Sequence, residues 1–217
     1  MAEQKVRMDT SGFMNKYIEF LENEHIYLYK GYIIPSVSEI LKFIFPNKYE
    51  NIPFQILKEK SIFGTKVHEA IEILEREQKL DIDALKQEIE GINYIIESSI
   101  EQYLKLKKEY EIEMLEQEQM VNYDGLYAGR FDMIANINGI KSLCDVKTTA
   151  ELDEEYLSWQ LSFYQLAKGE TFKKLYCIWL PKKGLGKLVE IKRKSKKELI
   201  EMLNKYLEDK EIEIKEE

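Results

Sequence analysis

The stretch Gly129-Arg130-Phe131-Asp132-Met133-Ile134-Ala135-Asn136-Ile137-Asn138-Gly139-Ile140-Lys141-Ser142-Leu143-Cys144-Asp145-Val146-Lys147 decides how this chain is read. Asn138-Gly139 between two apolar runs is a strong hairpin signal, because a tight two-residue turn needs left-handed backbone that Asn and Gly adopt at low cost. With a two-residue loop, Ile137 faces Ile140. Counting back along both strands then sets Asp132 opposite Asp145, with Cβ atoms about 4.5–5.5 Å apart. Lys147 shares the face of Asp145, since strand side chains alternate. The other face carries Phe131, Met133, Ala135, Ile137, Cys144 and Val146, an apolar core face. Ile134 and Leu143 lie beside the aspartates, so that side is expected to be partly buried too.

Like charges directly opposite each other weaken a sheet and raise the pKa of one carboxyl. A divalent cation held by oxygen ligands offsets the repulsion, and Mg²⁺ typically takes one or two carboxylates together with phosphate and water. The plainer alternative leaves one aspartate in solvent at a strand end with Lys147 as its ion-pair partner. That reading suits a lone Asp-x-Lys; the facing aspartate favours the metal.

Outward from this hairpin, a strand over 111–122 joins 127–137 through Asp124-Gly125, and 140–148 completes a three-stranded meander. A helix over 153–168 ends near Gly169, strands 173–181 and 186–192 pair around Lys183-Gly184, and an amphipathic helix covers 195–208. On the N-terminal side, Tyr17 to Ile34 alternates around Lys30-Gly31 as a short β-hairpin. A helix capped by Ser38 follows Pro35 and stops at Phe45-Pro46-Asn47. Gly64-Thr65 opens a helix to about Gln78. A longer one runs from Asp83 to about Lys108, with Leu85, Ile89, Ile92, Ile96, Ile100 and Tyr103 as one apolar stripe. The expected fold class is α/β: a mixed β-sheet flanked by helices, with an N-terminal β-hairpin and a helical insertion. A flexible polar leader (1–13), one domain (14–208) and a charged tail (209–217) are the expected organisation.

The 217 residues are 44% hydrophobic and 12% aromatic, enough for a sizeable core and unlike a disordered chain. Two cysteines, Cys144 and Cys177, exclude a disulfide framework and a four-cysteine zinc or iron–sulfur site, and read as small core residues in a reducing compartment. No run approaches the roughly 20 apolar residues that span a bilayer, so a cytoplasmic protein is expected. The net charge of −8 argues against indiscriminate nucleic-acid binding but not against a local basic groove.

Gly129-Arg130-Phe131-Asp132, Asp145-Val146-Lys147 and Gln160-x-x-x-Tyr164, in that order, resemble the PD-(D/E)XK nuclease superfamily, and most closely its RecB-like and phage exonuclease branch. Gly64-Thr65-x-x-His68-x-x-Ile71-Glu72 is similar to that branch's histidine helix. The early segment with Tyr27, Gly31 and Pro35-Ser36-Val37 is similar to the opening of phage-encoded members, so the likeness covers about residues 17–180. It implies a restriction-endonuclease-like core and a metal-dependent phosphodiesterase acting on DNA, an exonuclease of a phage or mobile-element recombination module. A structure-specific endonuclease, or a silent DNA- or protein-binding module on the same fold, is the rival. Asp132, Asp145 and the backbone carbonyl of Val146 would bind Mg²⁺ or Mn²⁺, and His68 would be a further ligand or orienting group. Lys147 would activate water and stabilise phosphate charge, while Gln160 and Tyr164 would contact substrate or brace Lys147. A single-strand annealing or recombination protein is a partner by analogy. The iron–sulfur sub-branch is excluded by the cysteine count, and no Gly-x-x-x-x-Gly-Lys-Ser/Thr loop of a fused helicase occurs.

Several residues keep two readings. Glu118 fits an expected acidic ligand on the first meander strand better than Glu116, but strict pairing about Asp124-Gly125 sets Gln117 opposite Asp132. Glu118 therefore requires a bulge or a longer loop. His68 reads equally as a satisfied helix histidine, and Gln160 with Tyr164 as helix-to-sheet packing. Glu69, Glu72 and Glu75 read most simply as a solvated helix face. Arg130 is a phosphate contact or a charge that balances the aspartates. From Lys182 to Lys197, eight basic residues (Lys182, Lys183, Lys187, Lys192, Arg193, Lys194, Lys196, Lys197) stand against Glu190. They are either a DNA-backbone rim or a lysine-protected sheet edge.

Overall fold

The structure, a computed structural model, describes residues 6–8, 17–22, 24–77 and 93–215. Leu85, Ile89 and Ile92 of the expected long helix lie outside the described residues, as does most of the expected leader. The described part of that helix begins at Asn93, and its Ile96, Ile100 and Tyr103 are buried as the stripe requires.

Among the described residues, nine strands form two sheets. β1 (Val6–Met8), β2 (Ile18–Leu21), β3 (Ile26–Tyr29) and β4 (Tyr32–Ile34) make an antiparallel sheet in that order. The expected hairpin about Lys30-Gly31 is β3–β4, closed at Tyr29↔Tyr32. It is extended by β2 and by β1, which pairs inside the expected leader. The second sheet holds β5 (Glu113–Tyr123), β6 (Tyr127–Ile137), β7 (Ile140–Lys147), β8 (Lys174–Trp179) and β9 (Lys187–Glu190) in sequence order. β7 and β8 are parallel and the other neighbours antiparallel, so the sheet is mixed as expected.

Helices cover both faces of the five-stranded sheet. α1 (Val37–Ile44), α4 (Glu154–Lys168) and α5 (Lys196–Lys215) pack with Ile134, Leu143, Leu175 and Cys177 in one apolar cluster. α2 (Phe54–Glu77) and α3 (Asn93–Glu109) pack with Met133, Ala135, Cys144, Val146 and Ile178 in the other. Burial of apolar surface on both faces of one sheet is the main stabilising term of such a layered fold. Cys144 and Cys177 are free and buried, as read. Among the described residues no helix is long and apolar enough to cross a membrane.

Four local expectations are corrected. Ser36, not Ser38, caps α1: its hydroxyl accepts from Glu39 N–H and the Glu39 carboxylate accepts from Ser36 N–H, a reciprocal capping box. α2 starts at Phe54, just after Pro53, so Gly64-Thr65 is mid-helix. Gly64 costs about 1 kcal/mol there, which the packing of Phe63, Val67, Ala70 and Ile71 outweighs. α5 continues through the expected tail to Lys215. Phe131 packs with the α4 cluster beside Ile134, whereas Met133 packs with the α2 cluster, so simple alternation along β6 breaks at Asp132.

Candidate metal centre

The Asn138-Gly139 hairpin closes as read, with Ile137↔Ile140 and the ladder regular to Met133↔Cys144. Beyond that pair a carboxylate enters the hydrogen bonding: Val146 N–H donates to Asp132 Oδ2 at 2.7 Å. Asp132 is thereby oriented by the backbone of the strand that carries Asp145 and Lys147.

The position of Glu118 depends on the preceding turn. Tyr123 pairs with Tyr127, so the loop has three residues, Asp124, Gly125 and Leu126, closed by Leu126 N–H on Tyr123 O at 2.8 Å. The longer loop shifts the register by one residue, and Glu118 falls between the pairs Gln117↔Met133 and Gln119↔Phe131, across from Asp132. Glu118 has φ +49°, a left-handed conformation that costs a non-glycine residue on the order of 1 kcal/mol or more.

His68 enters from α2. Its Nε2 lies 3.0 Å from the Val146 carbonyl, which can only accept, so Nε2 carries a proton and donates. In the neutral ring Nδ1 is then a bare acceptor, 3.6 Å from Asp132 Oδ2. Two acceptors face each other with room for a proton or a cation between them. His68, Glu118 and Asp132 each offer a ligand atom, all within 4.8 Å of one another. Burial and the Asp132 charge raise the Glu118 carboxyl to about 7, although Arg130 and His68 oppose the rise. An imidazole and two repelling carboxylates suit a divalent cation.

The remaining expected residues divide. Asp145, 1% exposed, does not join the trio; its Oδ2 contacts Lys147 Nζ at 2.5 Å with angles that leave Oδ2 without a well-formed hydrogen bond. Burial raises the Asp145 carboxyl and Lys147 opposes this. Burial lowers the Lys147 ammonium, but Asp145 and Asp132 more than offset it and the net shift is upward, so it stays cationic. The Val146 carbonyl, expected at the metal, accepts from His68 instead. Gln160 and Tyr164 are buried on α4, Tyr164 at the wall of the cleft, and Gln160 Oε1 has no hydrogen-bond partner among the described residues. Tyr164 sits so close to β6 that a Cβ on Gly129 would lie 2.6 Å from its Cε1, which explains glycine there.

Arg130 binds Glu118 (Nε to Oε2, 2.9 Å), so it balances a carboxylate, though not an aspartate. It lines the cleft; the expected basic rim does not, among the described residues. Lys182 lies over the Phe63 ring, Lys187 over Trp179 and Lys194 over Trp159, while Arg193 donates to the Phe172 carbonyl. Lys183 and Lys192 are exposed. The expected solvated glutamate face of α2 is corrected at one residue. Glu69 is exposed and Glu72 half-exposed at the cleft, whereas the buried Glu75 side chain accepts from Tyr103 and Lys107 of α3.

The open cleft holds about 500 Å³. Tyr27 and Ser36 of the early segment also line it, as do His25 and Thr148, which were not singled out from the sequence. His25 was discoverable as the second of only two histidines; Thr148 carries no distinguishing pattern.

No family model matches the chain, and no curated protein matches it. Among solved structures, the crystal structure of SSO0001 is 16% identical over 64% of this chain and 70% of that one, with a TM-score of 0.34.

Proposed function

We propose that the chain is a metal-dependent deoxyribonuclease with a PD-(D/E)XK core, hydrolysing DNA phosphodiester bonds with Mg²⁺ or Mn²⁺ as an exonuclease of a phage or mobile-element recombination module. The observation that carries the reading is the convergence of His68, Glu118 and Asp132 in one cleft with Lys147, which Asp145 pairs from beneath the surface. His68, Glu118 and Asp132 would hold a divalent cation, which would supply Lewis-acid polarisation of a phosphoryl oxygen. Lys147 offsets charge that develops on the phosphate and orients the attacking water. Asp145 holds Lys147 in place and cationic, and Tyr164 and Gln160 support that pair from α4. Arg130 opposes the push of burial and of Asp132 on the Glu118 carboxyl, which still rises to about 7, and a bound cation would favour its charged form.

The test is cleavage of end-labelled linear DNA, single- and double-stranded, with Mg²⁺, Mn²⁺ or EDTA. Metal-dependent loss of label is expected, with Asp145→Ala and Lys147→Ala slower by roughly 10³-fold or more yet still binding DNA. Near wild-type cleavage in both variants would remove the assignment. Cutting of covalently closed circles would make the enzyme an endonuclease, because an exonuclease needs an end. The position of Asp145 outside the donor trio favours one other reading, a binding module without chemistry. Tight binding with no cleavage under either metal would establish it.

A further inference from the structure

Resting on the nuclease reading, we infer that the sheet face beside Lys147 carries a stacking subsite for an unpaired base of the substrate strand, built from Trp179, Tyr156 and Tyr49 and flanked by Lys48 and Lys187. Lys147 and Trp179 are register partners on the adjacent parallel strands β7 and β8, so their side chains stand next to each other on one face. Trp179 and Tyr156 both pack at the edge of the α4 cluster and stay partly exposed. The Trp179 indole N–H donates to the Thr149 carbonyl at 2.8 Å, so the loop that leaves Lys147 and lines the cleft sets the ring's orientation.

On the α1 side, Lys48 Nζ lies 3.7 Å from the Tyr156 ring centroid and 6.0 Å from that of Tyr49, and it is ion-paired with Asp153. Tyr49 is 49% exposed. The Lys147 charge acts on both the Tyr49 and Tyr156 hydroxyls, in each case behind burial as the main influence. Lys187 Nζ, 5.8 Å from the Trp179 ring centroid, places a second cation over that ring.

An exposed indole whose orientation is already set loses little freedom when a base stacks on it, and every base presents a π-face, so such a platform is tolerant of sequence. Stacking contributes about 1–3 kcal/mol per base. The flanking ammonium groups suit the phosphates on either side of that base. Bases inside a duplex are stacked on one another and cannot reach the platform. The substrate it fits is therefore a single strand, or an end with at least one unpaired nucleotide beside the phosphate that is cut.

The experiment is binding of the full chain, in EDTA so that nothing is cut, to single-stranded oligonucleotides carrying 2-aminopurine at successive positions, and to a blunt-ended duplex. Quenching at one position and quenching of protein tryptophan emission are expected. Tyr49→Ala should weaken single-strand binding by about tenfold and leave the blunt duplex unchanged. Trp179→Phe, folded by circular dichroism, should lose the tryptophan quench. Equal single-strand affinity of wild type and Tyr49→Ala with no quenched position overturns the platform while DNA binding stands, as does an equal loss on the blunt duplex. Absence of binding to either DNA by the folded chain removes the platform together with the nuclease reading.

Discussion

The two ends of the β6–β7 pair follow different rules. At the Asn138-Gly139 end the ladder is closed from Ile137↔Ile140 to Met133↔Cys144, and Asn138 and Gly139 take φ of +48° and +74°, as the tight turn demands. Ile137, Leu143 and Cys144 are buried there, each packed in one of the two apolar clusters. At the other end Asp132 takes the Val146 N–H, Glu118 adopts a left-handed backbone, and β6 exchanges one core for the other. Local pairing accounts for the closed end. The open end is held by groups remote in sequence, His68 from α2 and Glu118 from β5. It has the strain and charge repulsion that a site for a cation or phosphate can use.

The contrast can be broken by stability measurements. Leu143→Ala, in the closed half, should cost about 2–5 kcal/mol by chemical denaturation, from lost burial and the cavity left behind. A loss under about 1 kcal/mol would show that this half does not anchor the fold. The open half should instead answer to pH. Without metal, the folded Glu118 carboxyl holds its proton to about 7, while the unfolded one releases it near 4.5. Between those values the folded state binds more protons, so stability falls as pH rises from 4.5 to 7 and levels off above, by up to about 3 kcal/mol. Glu118→Gln should reduce that slope, and the remainder comes from the Asp145 carboxyl, which burial also raises. Mg²⁺ or Mn²⁺ added at neutral pH should raise the wild-type melting temperature and leave the variant less affected. A pH-independent wild type would contradict the crowding of Glu118 and Asp132.

The smallest effects concern the frame. Gly139→Ala, at positive φ with open space around it, should cost about 1 kcal/mol through backbone strain alone. Ser36→Ala, which removes one half of the capping box of α1, should cost a similar amount. Both should leave the pH dependence unchanged, and a changed slope would mean that the frame and the site are coupled.

Much of the frame was legible because its signals are local. The Asn-Gly turn, the Asp153 and Gly169 caps of α4, and the change from helical to strand periodicity near residue 111 act over a few residues. Two misreadings have tertiary causes. Gly64-Thr65 looks like a helix start by propensity, yet the buried face of α2 carries the helix through it. Phe131 alternates with Met133 in sequence, but the irregularity at Asp132 and Glu118 turns it toward α4, with Lys168 over its ring.

By itself the sequence determined the α/β class, the meander, the hairpin register around Asn138-Gly139 and the cleft residues Asp132 and Lys147. These follow from turn chemistry and side-chain period, which are short-range, whereas His68 was singled out only through the family resemblance. Tertiary structure decided which carboxylate stands with His68. The three-residue turn at 124–126, where a Cβ on Gly125 would lie 2.5 Å from the Tyr29 ring, shifts β5 by one residue and brings Glu118 across from Asp132. Asp145 meanwhile is buried against Lys147. A one-residue register shift moves every side chain of a strand to the other face, and packing against a distant β-sheet sets that shift.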